Sequence, residues 1–268
     1  MNDPLLEKKS GRFEMPLKKL LTTVLTQLSF SEKVVFSILS IILSGSALLL
    51  LLNLHNQFLV TIPTHGGSMT EGIIGSPRFI NPLLAISDAD RDLTQLVFSG
   101  LLRATPGGEL IPDAADSYTV SPDGLTYTFT LKDNLTFHDG TPISTEDVAF
   151  TIERAQDPSI KSPKRANWDS VAVEVVSDKE IRFILKQPYA PFLENTTLGI
   201  LPKHIWKNVL PEAFPLSFVN VEPIGNGPYR VKNSIRDSSG IPQKYVLKSF
   251  ENYPLGEPYI DTLELVFF

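Results

Sequence analysis

The sequence predicts a mixed α/β domain with many short strands, preceded by one transmembrane helix. Residues 34–54 form an uncharged apolar run, and from Ser68 onward strand-like and helix-like periodicities alternate over short distances. The 21 prolines indicate frequent turns rather than long helices. Because 42% of the 268 residues are hydrophobic, the part after the apolar run can form a sizeable core.

The apolar run predicts a signal anchor. Residues 34–54 carry no charge and show no polar face, and at about 1.5 Å per residue they span roughly the 30 Å of a bilayer core. Residues 1–33 contain six basic and four acidic side chains, a net charge of +2, so the remainder carries −8. Positive charge is retained on the cytoplasmic side, which predicts an inside N-terminus and an extracytoplasmic main domain, in the periplasm or at the cell surface.

The predicted organisation is a cytoplasmic segment 1–33, an anchor 34–54, a linker 55–67 and a folded domain 68–268. A cleaved signal peptide is the alternative to the anchor, but its apolar region would be only about 7–15 residues long. The chain has no cysteine, which excludes a lipid-modified cysteine anchor, disulfides and thiolate metal sites.

The cytoplasmic segment contains an amphipathic stripe of leucines between Leu17 and Leu28, beside Lys18 and Lys19. Such a helix lies on the inner membrane face or packs against a cytoplasmic partner, and the sequence leaves both open.

Local patterns predict the elements of the domain. Ser87 to Asp90 offer helix N-cap side chains, and Ser144 with Asp147 resembles a capping box, with Asp in place of Glu or Gln. Strands are predicted at 69–74, 125–131, 227–231, 245–250 and 262–268, helices at 88–102 and 144–154, a hairpin at 171–185, a type I turn at 121–124, and helical turns at 191–198 and 203–209. Residues 262–268 alternate like a strand in mid-course, so we expect the native chain to continue past Phe268.

The titratable residues predict no enzyme and no metal site. None of the four histidines lies within four residues of another, and there is no nucleophile elbow or phosphate-binding loop. The motif His138-Asp139-Gly140 is typical of a turn, and Gly225-Asn226-Gly227-Pro228 predicts a tight turn. The acidic exported part argues against nucleic acid, since phosphate contacts need a basic face. An extracytoplasmic α/β domain without catalytic machinery is a candidate for binding, with no cofactor.

Several motifs in one order then resemble a known family. The run from Leu131 to Val148, LKDNLTFHDGTPISTEDV, is similar to a motif of the extracellular solute-binding proteins, family 5, which carry peptides, nickel or other solutes to an ABC permease. The resemblance covers nearly all of 68–268 and includes, in order, Asn81-Pro82, the Gly100-Leu101-Leu102 segment, Pro112–Ser117, Pro191-Phe192, Pro223–Tyr229, and Asn252-Tyr253 through Asp261.

The resemblance implies the first lobe of a type II periplasmic-binding-protein fold of the peptide-binder kind, with a mixed sheet, truncated before the second lobe. It further implies ligand contacts at Ile86, Ser87 and Asp88, and at Lys164 and Trp168 in the stretch 163–168. Alternatively, Ser87 and Asp88 serve only as N-caps and Trp168 only as core.

The implied function is the binding component of an ABC importer, with a peptide or similar solute, permease subunits and the membrane as partners. A membrane-tethered sensor or accessory protein using the same fold is the alternative, which the cytoplasmic segment favours. An extracytoplasmic hydrolase is a third hypothesis, for which the sequence offers no catalytic group.

Overall fold

A computed structural model describes residues 26–58 and 62–268, which fall into an N-terminal helical unit and a folded unit, Pro63–Phe268. Helix α1, Phe30–Phe58, is long and apolar enough to cross a bilayer, a property that signal sequences share. The Glu32 carboxylate accepts the Ser29 backbone N–H at 2.8 Å, which fixes the start of the helix. The leucine stripe expected between 17 and 28 lies almost wholly outside the described residues.

Helix α1 extends the predicted apolar span at both ends. Residues 55–58, expected in the linker, are helical because no proline or glycine interrupts the sequence between Gly45 and Pro63. Helix α1 therefore continues four residues past the predicted end of the anchor.

A four-stranded mixed sheet, which we call the first sheet, contains both the first and the last strand of the folded unit. It is ordered β1-β10-β9-β8, and β1 runs parallel to β10 while the other pairs are antiparallel. The strands are β1 Ser68–Ile73, β8 Tyr229–Arg236, β9 Pro242–Ser249 and β10 Thr262–Phe267. In β10 the residues Leu263, Leu265 and Phe267 are buried in strict alternation, as a strand with one core face requires.

The second sheet is antiparallel and ordered β4-β5-β7-β6. Its strands are β4 Ala115–Val120, β5 Thr126–Leu131, β6 Ala172–Val175 and β7 Glu180–Ile184. The predicted hairpin forms, with Val173 opposite Phe183 and Val175 opposite Ile181. The turn before β5 also forms, since Gly124 has a φ of +70° and donates its N–H to the Ser121 carbonyl at 2.8 Å.

Short helices pack against these sheets and complete one continuous core. They are α2 Asp88–Val97, α3 Thr145–Gln156, α4 Arg165–Trp168, α5 Phe192–Asn195 and α6 Lys203–Trp206, with 3₁₀ turns at Pro211–Leu216 and Phe218–Asn220. Helix α3 forms where the capping box predicts it and buries Val148 and Ile152. Beside the second sheet, the aromatic rings of Phe129, Phe183 and Phe192 are fully buried.

Helix α2 ends five residues earlier than its apolar spacing predicts. A Cβ on Gly225 would lie 2.0 Å from the Val97 carbonyl oxygen, so the turn at 225–227 packs directly on the last turn of the helix. The Asn226 amide oxygen then accepts the Ser99 N–H at 2.9 Å, and Phe98 is already extended. These contacts divert the chain into a short strand, β2, at Leu102–Ala104.

Three strands were absent from the predicted elements. Strands β2, Leu102–Ala104, and β3, Leu110–Pro112, are only three residues long and pair with each other. In β4 only Ala115 is buried and the next five residues are exposed, so the strand lacks the alternation that sequence patterns detect.

Candidate ligand pocket

A pocket of about 160 Å³ lies where helix α2, helix α4 and the end of helix α5 meet. Its walls combine charged, polar and apolar side chains around the buried ring of Trp168. The residues lining it are Pro82, Ala85, Arg91, Thr94, Gln95, Lys164, Asn167, Trp168, Glu194, Asn195, Thr197, Leu198 and Gly199.

The segment leading into helix α2 is held by one buried carboxylate. Asp90 is 2% exposed, and its Oδ1 accepts the backbone N–H groups of Arg78 and Phe79 at 2.7 and 2.9 Å. Its Oδ2 accepts the Ser87 N–H at 3.2 Å, and Ser87 Oγ accepts the Asp90 N–H at 3.1 Å in return. This capping box fixes the pocket wall formed by helix α2.

These hydrogen bonds also decide the charge of Asp90. Burial alone would raise the pKa of this carboxyl, but the N–H groups of Phe79 and Arg78 outweigh it and hold the pKa below its usual range. Asp90 is therefore ionised at neutral pH and does not depend on a ligand for its partners.

The segment before helix α2 and the stretch 163–168 are joined by the side chain of Ser162. Ser162 Oγ donates to the Leu83 carbonyl at 2.7 Å and accepts the Lys164 N–H at 3.1 Å. Asn195 Nδ2 donates to the Asn167 carbonyl at 3.0 Å, which adds helix α5 to the assembly. Residues from three distant parts of the chain thus surround one cavity.

The pocket wall carries charges of both signs. Arg91 pairs with Asp88 one turn earlier on helix α2, and both side chains are largely exposed. Lys164 makes no ion pair within 26–58 and 62–268, and Glu194 stands exposed on the same wall. Thr94 Oγ1 is buried and has no hydrogen-bond partner in the described part of the chain. The wall therefore offers free donors and acceptors above an apolar floor, as small-molecule sites do.

The predicted contact residues divide into two groups. Lys164 and Trp168 line the pocket, although Trp168 is 1% exposed and packs on Phe183 and Phe192, so most of its ring is core. Ile86 is 64% exposed beside Ala85, at the pocket rim rather than inside it. All five residues stay predicted contacts.

Ser87 and Asp88 lie just outside the pocket with their side chains already engaged. The Ser87 hydroxyl caps helix α2, and Asp88 pairs with Arg91. Of the two, only Ser87 is the N-cap, because Asp90 lies at its third helical position and returns the bond.

Sequence reasoning missed Arg91, Asn167 and Glu194 as wall residues. Arg91 follows Asp88 at the i,i+3 spacing that places both on one helix face, which is a usable signal. Asn167 lies within the stretch 163–168 already singled out. Glu194 follows the Pro191-Phe192 motif, but only the contact between helices α4 and α5 brings it to the pocket. Among the described residues, no cluster of three or more histidine or acidic side chains could hold a metal ion.

Comparison with known proteins defines the class. The folded unit has the type II periplasmic-binding-protein fold, shared with the substrate-binding protein CtaP of Listeria monocytogenes, at 34% identity and a TM-score of 0.67 over 76% of this chain and 41% of that one. The oligopeptide-binding protein AppA of Bacillus subtilis, solved with a nonapeptide, is similar with a TM-score of 0.71 and 29% identity over 77% and 41%. NikZ of Campylobacter jejuni, solved with Ni(L-His), is similar with a TM-score of 0.65 and 30% identity, over 78% of this chain and 40% of NikZ.

The family follows from the sequence. Residues 109–268 match the model of the bacterial extracellular solute-binding proteins, family 5, middle region, and the chain belongs to this family. Its curated relatives include AppA, 30% identical over 205 residues, which are 75% of this chain and 37% of AppA. The chain thus spans well under half of the length of the relatives it matches.

These findings confirm the predicted family and the type II fold with a mixed sheet, and the relatives named here are substrate-binding proteins. The family's description as extracellular also supports a folded unit outside the cytoplasm.

Proposed function

We propose that this chain is the membrane-tethered substrate-binding component of an ABC importer and that the pocket beside Trp168 holds part of a peptide or similar solute. The observation that carries the proposal is the pocket wall, where Lys164 and Glu194 stand beside an apolar floor. Charges of both signs suit a solute with an amino and a carboxyl terminus.

The names of similar proteins support this solute class. AppA is an oligopeptide-binding protein solved with a nonapeptide, and a dipeptide-binding protein of Escherichia coli is 29% identical over 70% of this chain and 38% of its own length. NikZ was solved with Ni(L-His), so a histidine complex of nickel is a second solute to test.

The tether is proposed from helix α1. Its described length exceeds what a bilayer core requires, and the basic excess of residues 1–33 favours an N-terminus in the cytoplasm. A protease added outside sealed cells should then remove Pro63–Phe268 and leave residues 1–33 protected. Release of a soluble folded unit without protease would contradict the tether and indicate a cleaved signal peptide.

Binding is tested on the full 268-residue chain in detergent. Titration calorimetry with a defined nonapeptide, a tripeptide and the nickel–histidine complex should show saturable binding of at least one peptide. Lys164→Ala should weaken that binding about tenfold, the effect of one charged hydrogen bond. Lys207→Ala, which removes an exposed lysine on the end of helix α6, is the matched control and should change nothing. Absence of peptide binding, or equal loss in both variants, would refute the assignment to this pocket.

A further inference from the structure

A second cavity, of about 480 Å³, lies beside strands β8 and β9 of the first sheet. It shares no lining residue with the candidate pocket, and the proposed peptide function uses none of its side chains. Its lining residues are His138, Asp139, Pro223, Ile224, Arg230, Val231, Lys232 and Lys248. Three of them are basic, although the chain after residue 33 carries a net charge of −8, the total of −6 less the +2 of residues 1–33.

Two basic side chains on this cavity lack a counter-charge. Strands β8 and β9 carry five basic residues, and three of these form ion pairs: Arg236 with Glu222 at 3.8 Å, Lys244 with Glu264 at 2.7 Å and Lys248 with Asp261 at 3.2 Å. The other two, Arg230 and Lys232, form neither an ion pair nor a side-chain hydrogen bond with any residue that the structure describes. Both are exposed, and both line the cavity.

The strand register places like charges next to each other. Arg230 lies directly opposite Lys248 in the antiparallel pair, where Cβ atoms are about 4.5–5.5 Å apart. Like charges at opposite positions are destabilising, and the single carboxylate of Asp261 compensates only one of the two. An anion between Arg230 and Lys248 would remove this repulsion.

A β-bulge brings Lys232 to the same cavity. The register of β8 on β9 shifts between Val231 and Asn233, so Lys232 has no opposite residue. A bulge changes the direction of side chains, and here Lys232 and Asn233 are both exposed, against the alternation of a regular strand. The bulge thus holds a lysine on the cavity wall, two residues from Arg230, without giving it a partner.

The other titratable groups on the wall do not cancel this charge. Burial above all lowers the pKa of His138 to about 4, so its ring is neutral at pH 7. The Asp139 carboxylate is already bonded, with Oδ2 2.8 Å from His204 Nε2 and Oδ1 accepting the Thr141 N–H at 3.0 Å. Three basic groups against the two carboxylates of Asp139 and Asp261 leave a net charge of +1 around the cavity.

We propose that this cavity binds a small anion with at least two carboxylate or phosphate groups, one between Arg230 and Lys248 and another on Lys232. A guanidinium binds either group through two parallel N–H donors, and an ammonium adds a charge-assisted hydrogen bond. The cavity volume lies within the roughly 300–1,000 Å³ of small-molecule sites. An anion with one charged group meets only one of the two unpaired cations, whereas an anion with two meets both.

The test is titration calorimetry on the full 268-residue chain in a nonionic detergent, at pH 7 and a constant ionic strength of about 0.15 M. Citrate represents polycarboxylates, pyrophosphate represents polyphosphates, and acetate is the anion with one charge. Citrate or pyrophosphate should bind saturably and at least tenfold more tightly than acetate, and the tighter of the two indicates the carboxylate or the phosphate source. Affinities equal to that of acetate, or no saturable binding of either, would overturn the proposal.

Variants assign the binding to the cavity. Arg230→Gln should weaken it at least tenfold, and Lys232→Gln several-fold. Arg165→Gln removes an exposed arginine on helix α4 and is the matched control, which should leave the affinity unchanged. Lys164→Ala should not alter it either, which separates this cavity from the candidate pocket.

Stability measurements show that these variants report on binding. Arg230→Gln and Lys232→Gln replace exposed side chains, so both should fold. Without anion, urea denaturation of Arg230→Gln should show no loss of stability, because the repulsion between Arg230 and Lys248 is gone. Retention of wild-type anion affinity in both cavity variants, or an equal loss in Arg165→Gln, would refute the assignment.

Discussion

Two loops of this protein contain the same four-residue capping motif, Ser-x-x-Asp, but the aspartates of the two motifs bind different parts of the chain. Ser87-x-x-Asp90 and Ser144-x-x-Asp147 both form capping boxes at the starts of helices α2 and α3. In the first, the spare carboxylate oxygen accepts backbone N–H groups 11 and 12 residues earlier in the chain. In the second, Asp147 Oδ1 accepts the Lys203 N–H, 56 residues later, at 3.0 Å.

The difference shows that the same local motif can stabilise either a neighbouring loop or a contact between distant helices. Asp90 shapes its own loop and thereby the pocket wall, whereas Asp147 ties helix α3 to helix α6. The second loop is also stabilised by His138, whose Nδ1 accepts the Gly225 N–H and whose Nε2 bonds to the Gly227 carbonyl. The first loop is thus held by the carboxylate of Asp90 alone, and the second by the carboxylate of Asp147 together with the neutral imidazole of His138.

The largest expected effect comes from removing Asp90. Asp90→Ala leaves at least three backbone N–H groups of a partly buried segment without their acceptor, so we expect a loss of about 3–5 kcal/mol in the free energy of unfolding. Urea denaturation measures it, with Asp88→Ala, an exposed neighbour, as the control at under about 0.5 kcal/mol. A loss below 1 kcal/mol for Asp90→Ala would mean that water replaces these bonds.

Next in size is the pH response of the second loop. Burial, with a smaller effect from Arg230, lowers the pKa of His138 to about 4, while the unfolded chain has a value near 6.5. The unfolded state therefore binds more protons between these values, and stability is full above about pH 6.5 and falls as the pH drops toward 4. The expected loss is up to about 3 kcal/mol.

Urea titrations across pH 4–7 check this response, with His138→Gln as the variant that keeps a polar side chain but does not titrate. The difference in slope between wild type and variant isolates the histidine. The loop held by Asp90 should lose stability only at lower pH. In the folded state the pKa of this carboxyl is below the usual range of an aspartate, so the carboxyl becomes protonated only there. Equal slopes in wild type and variant over pH 4–7 would show that His138 does not control the second loop.

A smaller effect is expected for Asp147→Ala, at about 2 kcal/mol, since within the described residues this carboxylate accepts only the Ser144 and Lys203 N–H groups from the backbone. Glu146→Ala removes the exposed ion pair between Glu146 and Lys203 beside it and should cost under about 1 kcal/mol. The same denaturation experiment measures both. If the two variants lose equal stability, the tie between helices α3 and α6 depends on the surface pair and not on the buried carboxylate.

The capping boxes mark the limit of prediction from sequence. The sequence predicted the capping box at Ser144 and limited the N-cap of helix α2 to residues 87–90. Both predictions were possible because a capping box is complete within four residues. The backbone N–H groups that the second carboxylate oxygen accepts were not predictable, since they depend on which distant segment packs against the helix start. The same holds for the candidate pocket: Lys164 and Trp168 lay in a stretch that the family motif indicated, but Glu194 joined them only through tertiary contact.

The sequence by itself determined the features that are set by near neighbours. The apolar run of helix α1, the alternation in β5 and β10, the type I turn before β5 and the hairpin of β6 and β7 all follow from side chains within a few residues of one another. Only the tertiary structure decided where helix α2 stops and which side chain the buried Asp113 meets. The physical reason is separation along the chain: the Ser99–Asn226 bond spans 127 residues and the Asp113–Tyr253 bond 140, so no local pattern encodes either contact.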